Sequence, residues 1–236
     1  KSGVLALGAQ SKSAFCFAKG NTAYLSDSGG DLGELENFKK FERQIKIFQK
    51  KLKIRPDIVA CDLHPEYIST KYALRMTNGA PYENLRFRTG HERRTTKIQH
   101  HEAHIASCMA DNKIKGRVIG VAFDGTGFGK DGNIWGGEFF TGGVKGFKRL
   151  AHLRYIPMPG GEASIKEPWR MTFSYLYSIY GNAVPSGILS RVDKEKIYLL
   201  RQCVDKKINS PLTSSMGRLF DGVSALIGIC DFAGYE

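Results

Sequence analysis

The sequence predicts an α/β protein in which helices pack on the faces of a mixed sheet. Two observations carry this. Within the first 76 residues, short apolar runs and one amphipathic repeat follow in the order strand, strand, strand, helix, strand, helix. After residue 99 strand-like and helix-like patterns resume and continue to the end. The composition agrees: 42% hydrophobic and 25% charged residues in 236 give a real core without obligatory disulfides or metal, and exclude a disordered chain. No apolar run reaches the roughly 18 residues that span a bilayer. The opening Lys1-Ser-Gly-Val-Leu-Ala-Leu-Gly8 is too short an apolar stretch for a secretory signal. A soluble, cytoplasmic protein is expected.

The elements can be justified in turn. Val4–Leu7 is a short buried strand; Ala14–Ala18 and Thr22–Leu25 are two more, joined by a hairpin turn at Lys19-Gly20-Asn21. Phe38, Phe41, Ile45, Phe48 and Leu52 recur at spacings of three and four, one face of an amphipathic helix. Asp57–Cys61 is a strand, and Glu66–Met76 a helix introduced by Pro65. This order opens an RNase-H-like layer. Residues 78–97 then lose apolar periodicity and hold Arg86, Arg88, Arg93, Arg94 and Lys97. They read as an exposed loop, with a phosphate- or RNA-contacting arm as the functional alternative. A helix is expected over His100–Asn112, a strand over Val118–Phe123, a glycine-rich turn over Asp124–Gly132, and strands over Ile134–Thr141 and Phe147–Leu153. Helices follow near 165–180, 193–207 and 215–229.

The formal net charge of +12 attracts anions of every kind and chooses none. Cys16, Cys61, Cys108, Cys203 and Cys230 form no C-x-x-C pair and read as reduced, buried thiols.

Three clusters could carry chemistry. In Gln99-His-His-Glu-Ala-His104, His100 and His104 lie one helical turn apart on one face, the spacing at which two imidazoles share a metal, while His101 and Glu102 point elsewhere. The metalloprotease pattern fails, because Ile105 stands where its second histidine belongs. Two ligands do not complete a site, so a third must come from elsewhere. In the second cluster an apolar strand runs into Asp124-Gly125-Thr126-Gly127, where a carboxylate can hold a hydrated cation and small residues let phosphate approach the backbone. In the third, Asn209–Asp221, Thr213 or Ser214 would cap a helix, and Asp221, bordering an apolar face of Phe220, Val223 and Leu226, could reach ribose hydroxyls. Lys12, between the first two strands, sits in a candidate phosphate-facing turn. The strings Gly136-Gly-Glu138, Pro157–Gly161 and Glu167-Pro-Trp-Arg170 are distinctive, but their chemistry does not follow from the residues alone.

Taken together, Leu7-Gly8…Lys12, Asp62-Leu-His-Pro65…Tyr67…Ser69-Thr70, Gln99–Ile105, Asp124–Gly127, Ile134–Phe139, Arg149–Leu153, Glu167–Arg170 and Asn209–Asp221 resemble one family. It is the hydrogenase maturation carbamoyltransferase HypF, in its domain related to the universal tRNA threonylcarbamoyl transferase. The resemblance implies an actin-like, two-lobed ATPase-type fold, with a first lobe over 1–153 carrying the basic insertion 78–97 and the start of a second over 154–236. It implies that carbamoyl-adenylate, made from carbamoyl phosphate and ATP in a neighbouring domain, gives its carbamoyl group to the C-terminal cysteine of HypE. His100 and His104 would bind a divalent metal, iron or zinc, with magnesium a further candidate. Lys12, Asp124, Gly125, Thr126, Gly127 and Asp221 would bind the nucleotide, and Asp124 and His101 would be catalytic. The family carries a third histidine where Glu102 stands, and its last metal-binding aspartate and preceding domains would lie outside these 236 residues. Such a fragment would not be fully active alone. Direct nucleic-acid contact and membrane attachment are not implied. The alternatives are an enzyme acting on tRNA and a non-catalytic nucleotide-binding module.

Overall fold

A computed structural model describes residues 3–77, 94–184, 187 and 189–234. The chain divides into two compact units, Lys1–Gln99 and His100–Glu236. The lobe boundary expected after residue 153 falls inside the second of them.

The first unit is the mixed sheet with helices that the opening pattern predicts. Strands β1 (Gly3–Leu7), β2 (Phe15–Lys19) and β3 (Thr22–Leu25) are followed by α1 (Leu35–Leu52), β4 (Pro56–Asp62), α2 (Ile68–Thr77) and β5 (Arg94–Ile98). The strand order is β3-β2-β1-β4-β5. The hairpin pairs run antiparallel, while β1, β4 and β5 are parallel. Lys19 pairs Thr22 across the two-residue turn Gly20-Asn21, and Gly20 takes φ 65°, which favours glycine. Alternation in β1 and β2 buries Leu5, Leu7, Phe15 and Phe17 on one face. The phenylalanine face of α1 closes over them: Phe41 meets Phe15 edge-on at 5.8 Å, and Phe48 meets the same ring at 5.1 Å.

The Asp62–Thr70 string builds the turn into α2. Asp62 Oδ1 accepts the His64 backbone N–H at 2.8 Å, His64 stacks on Tyr67 at 4.1 Å, and the Thr70 hydroxyl donates to the Asp62 carbonyl. Gln10 Oε1 accepts the Ile68 N–H at 3.1 Å, tying the β1–β2 loop to the first turn of α2. Lys12 is exposed in that loop.

The expected basic loop over 78–97 is corrected at its end. Arg94–Lys97 belong to the edge strand β5, and the remainder lies outside the described residues. An edge strand with mostly solvated side chains has no apolar alternation, so only its adjacent threonines hint at β structure.

The second unit holds α3 (His100–Asp111), β6 (Val118–Phe128), β7 (Ile134–Gly143), β8 (Gly146–His152), β9 (Ile156–Pro157), α4 (Ala163–Lys166), α5 (Trp169–Tyr180), α6 (Lys194–Asp205), β10 (Leu212–Thr213) and α7 (Met216–Leu226). Its sheet runs β6-β7-β10-β9, with β8 also on β7. Ile105 and Met109 of α3 pack on Ala122, Trp135 and Phe140. The helix expected over 165–180 is two, broken at Pro168, which lacks an N–H and disfavours helical geometry at Glu167. The buried face of α7 is Arg218, Gly222 and Ala225, whereas Phe220, Val223 and Leu226 are exposed. Gly222 faces the Tyr175 ring of α5 so closely that a Cβ would lie 3.0 Å from it, so smallness and not bulk marks the packed side. Among the cysteines only Cys61 is buried, and Cys108 is exposed. No helix among the described residues is long and apolar enough to cross a membrane.

Phe41 is 1% exposed and Phe220 67%. In urea unfolding, Phe41→Ala is expected to cost ~3–5 kcal/mol of the first unit's stability, and Phe220→Ala to change stability by less than ~0.5 kcal/mol.

Candidate metal and nucleotide site

The site forms where the start of α3 meets a bulge in β6. Pairing with β7 runs regularly to Phe123–Gly137 and resumes at Gly127–Trp135, so Asp124, Gly125 and Thr126 stand opposite Gly136 alone. The expected glycine-rich turn at 124 is therefore a bulge inside a strand, and the turn begins only at Gly129. Bulges re-aim side chains, and this one turns Asp124 onto α3. The bulge passes so close to the helix that a Cβ on Gly127 would lie 2.5 Å from His101 Cε1 and 3.0 Å from His100 Cβ.

All three imidazoles converge on one oxygen. The Nε2 atoms of His100, His104 and His101 stand 3.1, 3.5 and 3.6 Å from Asp124 Oδ2, and those of His100 and His104 are 3.1 Å apart. The i,i+4 pair is as the spacing predicts. His101, expected to point elsewhere, instead lies fully buried, its ring 6.4 Å from that of Trp135. Helical phase places His101 on another face, but the bulge covers more than one face of the first turn. Glu102 does turn away, pairing with Lys130 beyond the bulge.

Burial opposes ionisation of Asp124, but bonds from His100 and His104 and from the Gly125 N–H, at 2.7 Å to Oδ1, outweigh it and hold the carboxyl well below its ordinary range. Burial, reinforced by His100, pushes His101 down to about 4, so it is neutral at physiological pH.

Two ring nitrogens 3.1 Å apart, both facing a carboxylate oxygen, need a proton or a cation between them. His100, His104 and Asp124 offer donor atoms all within 4.8 Å of one another. Two imidazoles and one carboxylate fit zinc or iron(II), with positions left for water or substrate. From sequence, Asp124 can hold a hydrated cation and, by resemblance, is nucleotide-binding and catalytic, while the third ligand of the histidine pair has no name; spatial proximity makes Asp124 the candidate.

The N-terminus of α7 braces the bulge from the other side. The Ser215 hydroxyl donates to the Gly125 carbonyl at 2.7 Å and to that of Asp124 at 3.2 Å, while accepting the Arg218 N–H as the helix cap. Ser215 is thus the cap expected of Thr213 or Ser214. Thr126 is exposed on the bulge. Asp221 lies six residues along α7 and accepts from Arg218 Nε at 2.5 Å, a partner the sequence reading missed.

Two family models cover almost the whole chain: the HypF Kae1-like domain matches residues 1–111, and the second subdomain of the carbamoyltransferase Kae1-like domain matches residues 120–236. The chain belongs to the HypF family. It is 35% identical to carbamoyltransferase HypF2 of Cupriavidus necator, over 99% of this chain and 27% of that protein. A probable carbamoyltransferase HypF of Methanocaldococcus jannaschii is 35% identical over 96% of this chain and 29% of its own length. Among solved structures, full-length HypF in a phosphate- and nucleotide-bound form matches the entire chain with a TM-score of 0.86 and 38% identity, covering 35% of that structure. HypF of T. kodakarensis matches with a TM-score of 0.85 and 32% identity, over 100% of this chain and 31% of that one. The fold is that of the HypF Kae1-like domain, and the chain spans about a third or less of these relatives.

The low pKa of His101 has a thermodynamic consequence in the metal-free chain. The unfolded histidine, near 6.5, takes up its proton before the folded one. Stability is then full above ~6.5 and declines as pH falls toward about 4, by up to ~1.4 kcal/mol per pH unit. Denaturant titrations across that window should show the slope, and His101→Gln should remove most of it.

Proposed function

We propose that this chain carries the carbamoyl-transfer centre of a HypF-type protein acting in [NiFe]-hydrogenase maturation. Carbamoyl-adenylate, made from carbamoyl phosphate and ATP, would be the donor, and the C-terminal cysteine of HypE the acceptor. One observation carries the reading: in a chain matched almost end to end by HypF family models, two imidazoles and a carboxylate meet beside a glycine-lined bulge. A relative solved with phosphate and nucleotide bound supports a nucleotide in this fold.

In the proposed reaction the acceptor sulfur attacks the carbamoyl carbon. A C–S bond forms, the C–O bond to the adenylate phosphate breaks, AMP leaves with the electron pair, and the thiol proton passes to solvent. A divalent metal held by His100, His104 and Asp124 would supply Lewis acidity toward anionic oxygen. Asp124, kept ionised by its imidazole neighbours, holds its negative charge at the place where such a cation is needed. His101 is proposed to serve catalysis as a neutral imidazole behind Asp124, fixing its orientation. Gly125, Thr126 and Gly127 would let phosphate or carbamoyl oxygens approach the backbone, and Thr126 presents its hydroxyl. Lys12, exposed in its loop in the first unit, is proposed as a nucleotide-binding residue by the family resemblance alone. Asp221, with one oxygen on Arg218, keeps lone pairs for ribose hydroxyls. The reading places the protein in the cytoplasm and gives it no nucleic-acid partner.

His100→Ala, His104→Ala and Asp124→Asn are expected to remove most bound metal, and His101→Ala much less; equal metal content in all four would withdraw the assignment. Asp221→Ala should weaken ATP binding about tenfold or more without changing metal content, since charge-assisted bonds contribute ~1.5–3 kcal/mol each. Wild-type ATP affinity in calorimetric titration would reduce Asp221 to a helix-surface carboxylate. In the full-length protein, Asp124→Asn should slow carbamoyl transfer to a HypE tail peptide more than it weakens nucleotide binding, whereas threonylcarbamoylation of tRNA would favour the alternative enzyme.

A further inference from the structure

Among the described residues of the second unit Glu138 is a fully buried acid, and nothing in the proposed reaction uses it. Its side chain is 0% exposed. Oε1 accepts the Gly136 and Gly137 backbone N–H groups at 3.1 and 3.2 Å and the Ser214 hydroxyl at 2.5 Å. Oε2 accepts Arg149 Nε at 2.5 Å.

The two oxygens lead to opposite sides of the candidate site. From Oε1 the path runs through Ser214 to its neighbour Ser215, whose hydroxyl grips the carbonyls of Asp124 and Gly125. A Cβ on Gly136 would lie 2.5 Å from the Asp124 carbonyl oxygen, and one on Gly137 2.6 Å from that of Ser214, so the two glycines beside Glu138 let these segments close onto β7. From Oε2 the path runs through Arg149, whose guanidinium lies 3.6 Å over the Trp135 ring, and Trp135 packs beside His101. These contacts account for Gly136-Gly137-Glu138, a string whose chemistry the residues alone leave open.

We propose that Glu138 is a positioning residue for the metal centre. Its carboxylate fixes the α7 start that braces Asp124 and the Arg149–Trp135 pair behind His101. The inference rests on the metal reading given above and concerns how that site is held in shape. The group must be a carboxylate. Four donors converge on it, and a glutamine has only one oxygen to offer them, its amide N–H₂ turning a donor toward the others. If the ion pair served sheet stability alone, weakening it would lower the melting temperature and leave metal affinity untouched. Groups behind metal ligands instead set affinity, by tenfold or more when lost.

Cobalt(II) titration of the full-length protein, read as the visible absorption that His100→Ala removes and paired with melting temperature, separates the two. Ser214→Ala removes one arm and keeps the Arg149 ion pair. It should weaken cobalt binding about tenfold or more while lowering the melting temperature no further than Ser164→Ala. That control loses an equally buried hydroxyl bond, to the Pro159 carbonyl at 2.7 Å, outside this network. Glu138→Gln should weaken cobalt binding at least as much as Ser214→Ala; if it does not fold, Ser214→Ala decides by itself. Wild-type affinity in Ser214→Ala, or an equal loss in Ser164→Ala, would overturn the positioning role and leave the metal reading standing. Absence of any cobalt absorption that His100→Ala removes from the full-length protein would overturn the metal reading and this inference together.

Discussion

One carboxylate oxygen facing three imidazole nitrogens is the constraint around which the second unit is arranged. Asp124 Oδ2 can reach His100, His101 and His104 only if β6 crosses the first turn of α3 almost in contact. That crossing demands residues without side chains. Gly127 lies against His101, Gly136 against the Asp124 carbonyl, and Gly217 of α7 2.9 Å, by its missing Cβ, from the Gly125 Cα. The glycines are therefore a consequence of where Asp124 must be. The bulge they permit would be a weak point in a strand, and the Ser215 hydroxyl ties it to a helix.

Much of the first unit was legible because sequence period and burial report the same physics there. Leu5, Leu7, Phe15 and Phe17 alternate because one face of a sheet is buried, and Phe41 and Ile45 recur at helical spacing because one stripe of α1 covers that face. Where burial is not carried by bulky side chains the signal fails. β5 is a solvated edge and announces no alternation. On α7 the packed face is made of Gly222, Ala225 and a buried arginine, so the large apolar residues pointed the wrong way. Pro168 divided a helix whose apolar pattern runs straight through it.

The site was legible in its local part. His100 and His104 share a face because four residues make about one turn, and no tertiary information is needed to see it. Their relation to Asp124 is long-range, and a run of glycine after an apolar strand reads equally as a turn or as a bulge. His101 was misplaced for a related reason: helical phase states which way a side chain leaves the axis, not how wide the covering element is. Glu138, Ser215 and Arg218 lie in distinctive strings, but their roles were not legible, since a glutamate in a strand or a serine before a helix is ordinary until its partners are known.

The electrostatics separate exterior from site. The formal net charge is +12, yet each acid of the described cluster has its own cationic or proton-donating neighbour: Asp124 its histidines, Glu138 Arg149, Asp221 Arg218. Other cations, among them Lys40, Lys50 and Lys51 on α1, are exposed, where salt screens them within ~10 Å. Such a surface draws in anions, nucleotide or acyl phosphate alike, without discriminating. Discrimination has to come from groups held in fixed geometry out of bulk water, and in this unit those are the acids with dedicated partners. On the proposed function, a basic exterior and a locally neutralised acidic site would be complementary, the first acting on how often anions arrive and the second on which of them stay.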